Sequence, residues 1–217
     1  MLNEFFIVGK DMLAPVLCRL FNKILHAGYF PESWSKGVIV PLHKSGSIHE
    51  VENYRGITLL SVLGKLFTSV LNIRLTEWAE KYKVYIESQA GFRSSYSTID
   101  NIFVLKSVVD EFIANKKKLY ACFIDFRKAF DYVPRTGLWY KLIKMGIRGK
   151  ILNIIKSMYS NVKSVVRDPK TFDFTDEFQC TIGVRQGESL SPFLFSMYIN
   201  DLEDGLYLQG NGGVDYF

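Results

Sequence analysis

One acidic residue, Asp125, stands where the sequence predicts that a β-strand ends. Residues 119–124 are apolar and rich in β-prone side chains, which is typical of a buried strand. A carboxylate fixed by a strand end, with solvent at the following turn, suits a hard cation. Mg²⁺ takes such oxygens together with substrate phosphates. An aspartate in this position also commonly caps a turn, so Asp125 is either a magnesium ligand or a turn residue.

A second candidate is the segment 183–192, GVRQGESLSP, which precedes a predicted helix. Such a Gly-bounded loop brings backbone N–H groups and the positive end of a helix dipole close to a ligand, and the Gln186 amide could hydrogen-bond a base or a sugar. A serine nucleophile elbow is excluded, because the second glycine, the preceding strand and a later histidine are missing. A phosphate-binding P-loop is excluded too, because Gly64-Lys65 is followed by leucine.

Two basic residues, Lys44 and Arg55, flank a hairpin predicted from strands at 37–42 and 54–59. Lysine offers a point charge and arginine a planar fork, so the pair could grip a polyphosphate, or the two could be ordinary surface cations. The three histidines and three cysteines show no zinc-ligand spacing, which argues against zinc.

The periodicity of the remaining sequence predicts a helix-rich chain with few strands. Helices are expected over 11–27, 61–81, 98–116, 138–145, 149–159 and 193–202. Ser97 and Asp100 resemble a capping box at the start of the third of these helices. Strands at 162–167 and 178–182 alternate like the two arms of a hairpin.

Composition is that of a globular protein, with 48% hydrophobic and 23% charged residues. No apolar run reaches the roughly 18 residues that span a bilayer, and residues 1–10 lack the features of a signal peptide. The odd number of widely spaced cysteines indicates reduced thiols in an intracellular protein, with nucleus or cytoplasm left open.

The net charge of +5 is unevenly distributed. Residues 1–126 carry +3, residues 127–170 carry +9, and residues 171–217 carry −7. A basic block of this kind suits a polyanion, although it could also be the solvated face of two helices.

Together these segments resemble a reverse transcriptase (RNA-directed DNA polymerase) of the non-LTR, LINE-type retrotransposon family. The matching blocks follow the family's order over about residues 10–205: FPESW at 30–34, VPLHKSG at 40–46, NYRGITLLS at 53–61, GFR at 91–93 with Ser97-Thr98, FIDFRKAFD at 123–131, GVRQGESLSP at 183–192 and YINDL at 198–202. Gly56 departs from the family's frequent proline, and Glu188 occupies a variable position; neither is expected to touch the chemistry.

The resemblance implies a role for each matching residue of the block at 123–131, which the family calls motif A. Asp125 would be the first catalytic, metal-binding aspartate, and the backbone carbonyl of Phe126 a further metal ligand. The Phe130 ring would be the steric gate that excludes a 2′-OH and so favours deoxynucleotides.

The resemblance also implies the contacts to nucleotide and nucleic acid. Lys44 and Arg55 would hold the triphosphate, while Gln186 and Gly187 of motif B, residues 183–192, would line the nucleotide pocket and template path. The expected contacts to nucleic-acid backbone are Arg93, Arg127 and Lys128, with the rest of the basic block.

The family's complete enzymes bind two Mg²⁺ ions for nucleotidyl transfer, and their other carboxylates come from an aromatic-x-Asp-Asp hairpin after motif B. This sequence has no Asp-Asp pair, and Asp201, Asp204 and Asp215 do not fit the pattern. The chain is therefore interpreted as a fragment or a decayed copy that is inactive alone.

The expected fold is α+β: the fingers and a partial palm of a right-hand polymerase, helix-rich with a small, mostly antiparallel sheet. Residues 1–118 would form the N-terminal helix and fingers, and residues 119–217 a partial palm truncated before the hairpin. The parent protein would copy an RNA template onto a DNA primer from deoxynucleoside triphosphates, with no membrane and no zinc. The alternative is a non-catalytic, nucleic-acid-binding remnant of the same fold.

Overall fold

The structure, a computed structural model, describes residues 3–208. The helices among them are α1 Asn3–Val8, α2 Lys10–Ala27, α3 Glu32–Ser35, α4 Val62–Lys81, α5 Thr98–Ala114, α6 Arg135–Lys144, α7 Gly149–Ser160, α8 Ser191–Ile199 and α9 Leu202–Leu208. The strands are β1 Gly37–His43, β2 Tyr54–Leu59, β3 Lys163–Val166 and β4 Phe178–Gln179. Asp215, which does not fit the aromatic-x-Asp-Asp pattern of a metal-binding hairpin, lies outside the described residues.

The four strands form one sheet in the order β2-β1-β3-β4. Both predicted hairpins are confirmed, since β1 pairs antiparallel with β2 and β3 pairs antiparallel with β4. The two hairpins are joined by a parallel pairing of β1 with β3, which makes the sheet mixed. Sequence periodicity could not reveal this pairing, because more than 100 residues separate the two strands in the chain.

Local signals fix the helix boundaries well. The Ser61 hydroxyl accepts a hydrogen bond from the Gly64 N–H at the start of α4. Ser97 and Asp100 form the predicted reciprocal capping box at the start of α5. At the end of α2, Gly28 adopts the left-handed conformation of a helix stop.

The hydrophobic core lies among α4, α6, α7 and α8. Helix α8 is buried on nearly all sides, with Leu194 and Met197 fully inaccessible. It packs against α6 and α4, so the core holds α8 firmly. The segment that leads into α8 is motif B, and its position is therefore fixed by the core.

The strand predicted over 119–125 is wrong. Residues 117–126 form no regular secondary structure, and Tyr120 and Phe123 are 87% and 82% exposed. A β-prone run becomes a strand only when a neighbouring strand takes up its backbone hydrogen bonds, and no described strand lies beside this run. Helix α5, which precedes it, also buries none of its side chains.

Within the described residues, no helix is both long enough and apolar enough to cross a membrane.

Candidate functional site

The β1–β2 hairpin places its two basic residues on one face. Arg55 lies opposite Leu42, and Lys44 follows Leu42 by two residues, with its N–H donating to the Asn53 carbonyl oxygen at 2.9 Å. Because side chains alternate along a strand, Lys44 and Arg55 project from the same side as diagonal neighbours. Both are exposed, so the hairpin presents two cations together to solvent.

The motif B loop runs along the outer edge of β2. The Thr58 N–H donates to the Gln186 carbonyl oxygen at 3.0 Å. Gly187 has a φ of +109°, and a Cβ atom there would lie 2.6 Å from the Thr58 carbonyl oxygen. Only glycine permits both this conformation and this approach, so Gly187 fixes the loop against the hairpin.

Motif B also contacts the end of motif A. The Val184 N–H donates to the Phe130 carbonyl oxygen at 2.8 Å, and the Gly183 N–H donates to the Val133 carbonyl oxygen at 2.9 Å. Gly183 has a φ of +82°, and a Cβ atom there would lie 2.5 Å from the Asp131 carbonyl oxygen. Motif B begins 52 residues after motif A ends, and backbone hydrogen bonds join the two regions.

The Phe130 ring contacts two other aromatic rings. It stacks on Phe195 of α8, with centroids 5.0 Å apart and planes inclined by 18°. The Phe92 ring meets it edge-on, at 6.1 Å and 90°. Phe130 itself is partly exposed.

A cavity of about 390 Å³ opens between the motif B loop and the sheet. Gln186, Asp131, Arg135 and Gly56 are among its lining residues. The Arg135 guanidinium is occupied by backbone carbonyls, donating to those of Gly183, Tyr159 and Ile182. Burial raises the pKa of the Asp131 carboxyl above its ordinary value, and nearby Lys128 only partly opposes that effect.

Gly187 lines a second cavity, of about 440 Å³, together with Lys65 and Ser69 of α4. Motif B therefore borders two cavities, with Gln186 among the lining residues of one and Gly187 among those of the other.

A buried ion pair within motif B, between Arg185 and Glu188, links the loop to the core. Arg185 Nη2 lies 3.6 Å from Glu188 Oε2, and both side chains are buried. The Thr68 hydroxyl of α4 donates to the Glu188 carboxylate, and Arg185 Nη1 donates to the Ser35 carbonyl oxygen at 2.9 Å. Sequence reasoning missed this pair, because a lone Arg and Glu three residues apart give no sign that the core covers them.

Asp125 is exposed, as a solvent-accessible ligand must be, and the structure gives it no ion pair within residues 3–208. The neighbouring Arg127 forms an ion pair with Glu52, which lies in the turn between β1 and β2. Motif A therefore passes close to the tip of the hairpin that carries Lys44 and Arg55. Lys128, the residue after Arg127 in motif A, is also exposed and has a positive φ of 48°.

The described residues do not complete a metal centre. No group of three or more His, Cys, Asp or Glu side chains within residues 3–208 could hold a metal ion. Asp125 and the Phe126 carbonyl are two candidate ligands, fewer than two divalent ions require. Asp201 is paired with Lys141 instead.

Arg93 has a structural position. Its guanidinium forms two hydrogen bonds with Glu80, at 3.0 and 2.9 Å, and donates to the Ile86 and Gln89 carbonyl oxygens. The Glu80 carboxylate raises the pKa of this guanidinium, and the Tyr96 ring lies 4.0 Å from its central carbon. The Arg93 side chain is only 8% exposed, which disfavours a contact with nucleic-acid backbone. That contact stays a prediction.

Comparison with known proteins identifies relatives of the whole segment. The sequence profile of the reverse transcriptase (RNA-dependent DNA polymerase) family matches residues 42–213. The probable RNA-directed DNA polymerase from transposon BS of Drosophila melanogaster is 31% identical over 187 residues, which are 86% of this chain and 20% of that protein. The RNA-directed DNA polymerase from mobile element jockey of the same species is 29% identical over 198 residues, 88% of this chain and 21% of that protein.

A Pol polyprotein from the type-1 retrotransposable element R2 of Popillia japonica is 27% identical over 175 residues, 81% of this chain and 24% of that protein. The chain thus spans about one fifth to one quarter of the length of these relatives. The resemblance to retrotransposon polymerases drawn from its sequence is confirmed, and the chain belongs to the reverse transcriptase family.

Proposed function

We propose that this chain forms the nucleotide-binding part of a polymerase that copies an RNA template into DNA. The observation that carries the proposal is the convergence of three distant segments. Backbone hydrogen bonds from Thr58 to Gln186 and from Val184 to Phe130 hold the hairpin, motif B and motif A together. The names of the relatives, which describe RNA-directed DNA polymerases, give the chemistry that such a site would serve.

Each segment has a defined task in this proposal. Lys44 and Arg55, projecting from one face of the hairpin, hold the triphosphate through charge-assisted hydrogen bonds. Gln186 and Gly187 border the nucleotide and the template, while the partly exposed Phe130 ring lies against the sugar and disfavours a 2′-OH. In this arrangement β1, β2 and the helices before motif A act as fingers, and the chain from residue 119 onward acts as part of the palm.

The metal requirement is met only in part by the described residues. Mg²⁺, which would supply charge stabilisation for phosphoryl transfer, would take Asp125 and the Phe126 carbonyl as ligands. Further carboxylates must come from outside residues 3–208, because none of the described acids lies in a cluster with Asp125. Residues 209–217 add only Asp215, and the whole sequence has no Asp-Asp pair, so we expect residues 1–217 alone to extend no primer.

The test is primer extension by the protein expressed from the whole reading frame that encodes residues 1–217. With a primed RNA template, Mg²⁺ and deoxynucleotides, we expect extension that Asp125→Asn reduces by at least about 100-fold, the scale of losing a group that acts on the transition state. Asp125 is exposed, so the substitution should leave folding intact. Asp176→Asn removes an equally exposed carboxylate outside the motifs and should leave extension unchanged.

Extension that survives Asp125→Asn would contradict the assignment of the metal ligand. Extension by residues 1–217 alone would contradict the argument from missing carboxylates.

A second candidate function is nucleic-acid binding without catalysis. Two observations favour it: the absence of a carboxylate cluster among residues 3–208, and the net charge of +9 on residues 127–170. It predicts salt-dependent binding to an RNA–DNA hybrid by a protein that extends no primer.

A further inference from the structure

We propose that Phe195 is a positioning residue for sugar selection: it holds the Phe130 ring in place from behind. The inference rests on the proposed function and extends it, because it adds a residue outside the segment that would touch the nucleotide. It explains why an aromatic residue in motif B's helix lies against an aromatic residue in motif A.

The contact between the two rings is a parallel stack. The centroids lie 5.0 Å apart and the planes differ by 18°, so the two rings are stacked with an offset. Aromatic pairs in such an arrangement attract each other beyond the effect of apolar burial. The stack on Phe195 therefore restrains the plane of the Phe130 ring, and the edge contact with Phe92 restrains it further.

Phe195 is suited to this task because it cannot move away. It is only 9% exposed, and its neighbours Leu194 and Met197 on α8 are fully buried. Protein interiors are packed as densely as organic crystals. The core therefore leaves the Phe195 ring no space into which a displaced Phe130 ring could push it. The Phe130 backbone is held as well, by the hydrogen bond from the Val184 N–H.

A steric gate works only when its ring cannot retreat. Shortening the supporting residue would leave a cavity behind Phe130, because surrounding structure collapses only partly into such a space. The ring could then tilt into that cavity and make room for a 2′-OH. The resulting loss should fall on discrimination between sugars and should leave binding of the triphosphate intact.

Phe193 is the matched control on the same helix. It is the same residue type and is 3% exposed, but its ring lies edge-on to Tyr85, with centroids 6.4 Å apart. It makes no ring contact with Phe130 among those found in the described structure. A merely structural role of Phe195 would make the two phenylalanines behave alike.

The experiment measures kcat/KM for dTTP and for ribothymidine triphosphate, which differ only in the 2′-OH, with the protein from the whole reading frame. Phe195→Leu should lower the preference for dTTP about tenfold, the scale of one small steric difference in a pocket. Phe195→Tyr, which keeps the ring, should retain the preference. Phe193→Leu should also retain it, while Phe130→Val should lose more than either.

Phe195→Met serves as a second variant, because methionine refills the space without a rigid ring, and we expect it to lose the preference as well. Where a variant turns over too slowly, the ratio of ultraviolet crosslinking by the two labelled nucleotides replaces the kinetic ratio. Unchanged sugar preference in both Phe195→Leu and Phe195→Met would overturn the inference. A parent protein that neither extends a primer nor binds nucleotide would overturn the proposed function, and this inference with it.

Discussion

Single glycines decide how closely the two motifs approach. Gly183 has a left-handed φ, and its α-carbon lies directly against the Asp131 carbonyl group. Gly149, at the start of α7, also has a positive φ, of +63°, but a Cβ atom there would meet nothing within 4 Å. The two positions therefore separate the cost of backbone strain from the cost of steric overlap.

We expect Gly183→Ala to destabilise the protein by roughly 3 kcal/mol, because it adds an overlap at 2.5 Å to the cost of a positive φ. Gly149→Ala should cost only about 1 kcal/mol, the strain term alone. Urea unfolding followed by circular dichroism measures both values. Equal losses at the two positions would show that the motif A turn and the motif B loop are not in contact in solution.

Buried charges matter at the same scale. The Glu188 carboxylate accepts hydrogen bonds from the Thr68 hydroxyl and from the Ser189 N–H. Arg185 is buried with it, and its Nε has no hydrogen-bond partner within the described structure. Removing one member would leave the other charge uncompensated in the core, so the two residues depend on each other.

At the scale of elements, α5 and the run that follows it lie outside the core. Ile102 and Phe103 of α5 are 64% and 71% exposed, and the exposed aromatic residues continue at Tyr120 and Phe123. Apolar surface of this extent is a site of association or aggregation. The capping box contributes to the stability of this helix, and four of its apolar side chains are half-buried: Val104, Val108, Val109 and Phe112.

The double substitution Phe103→Ser and Phe123→Ser should change the free energy of unfolding by less than about 0.5 kcal/mol per site, as exposed positions do. It should reduce self-association in sedimentation velocity, because it removes exposed aromatic surface. Phe67→Ser is the control: this α4 residue is 2% exposed and should cost about 3–5 kcal/mol. Strong destabilisation by the double substitution would mean that these rings are buried in solution.

For the whole molecule, fewer cations of the basic block, residues 127–170, are available to a ligand than its net charge of +9 indicates. Arg135 donates hydrogen bonds to backbone carbonyls. Lys141 forms an ion pair with Asp201, and Lys163 forms one with Glu177. Exposed cations without an ion pair in the described structure remain near the α6–α7 turn, along α7 and at both ends of the block: Lys144, Arg148, Lys150, Lys156, Lys128 and Lys170. If the chain binds nucleic acid, these exposed cations are the ones that we expect to contact its phosphates.

We expect residues 1–217 to bind an RNA–DNA hybrid with an affinity that falls steeply with salt, because phosphate contacts release counterions. Arg148→Gln should lower the slope of log K against log salt by about one unit. Lys163→Gln removes the same charge from an ion-paired residue and should change the slope less. Fluorescence anisotropy over a salt series measures both, and a slope near zero for the unsubstituted chain would contradict nucleic-acid binding.

The sequence alone determined the local elements and the family. The Ser61 cap, the capping box at Ser97 and the hairpin strands of β1 and β2 lie where the sequence predicts them, since neighbouring residues supply their hydrogen bonds. The family was readable because its blocks occur in order along the chain, a property that needs no folding.

Only the tertiary structure decided which distant groups meet. The apolar run at 119–125 has strand propensity, but it stays irregular because a strand requires a hydrogen-bonded neighbour. Arg93 and Glu188 look like surface residues in the sequence, yet partners from other elements bury them. The stack of Phe130 on Phe195 joins residues 65 positions apart, and only the packing of α8 in the core brings their rings together.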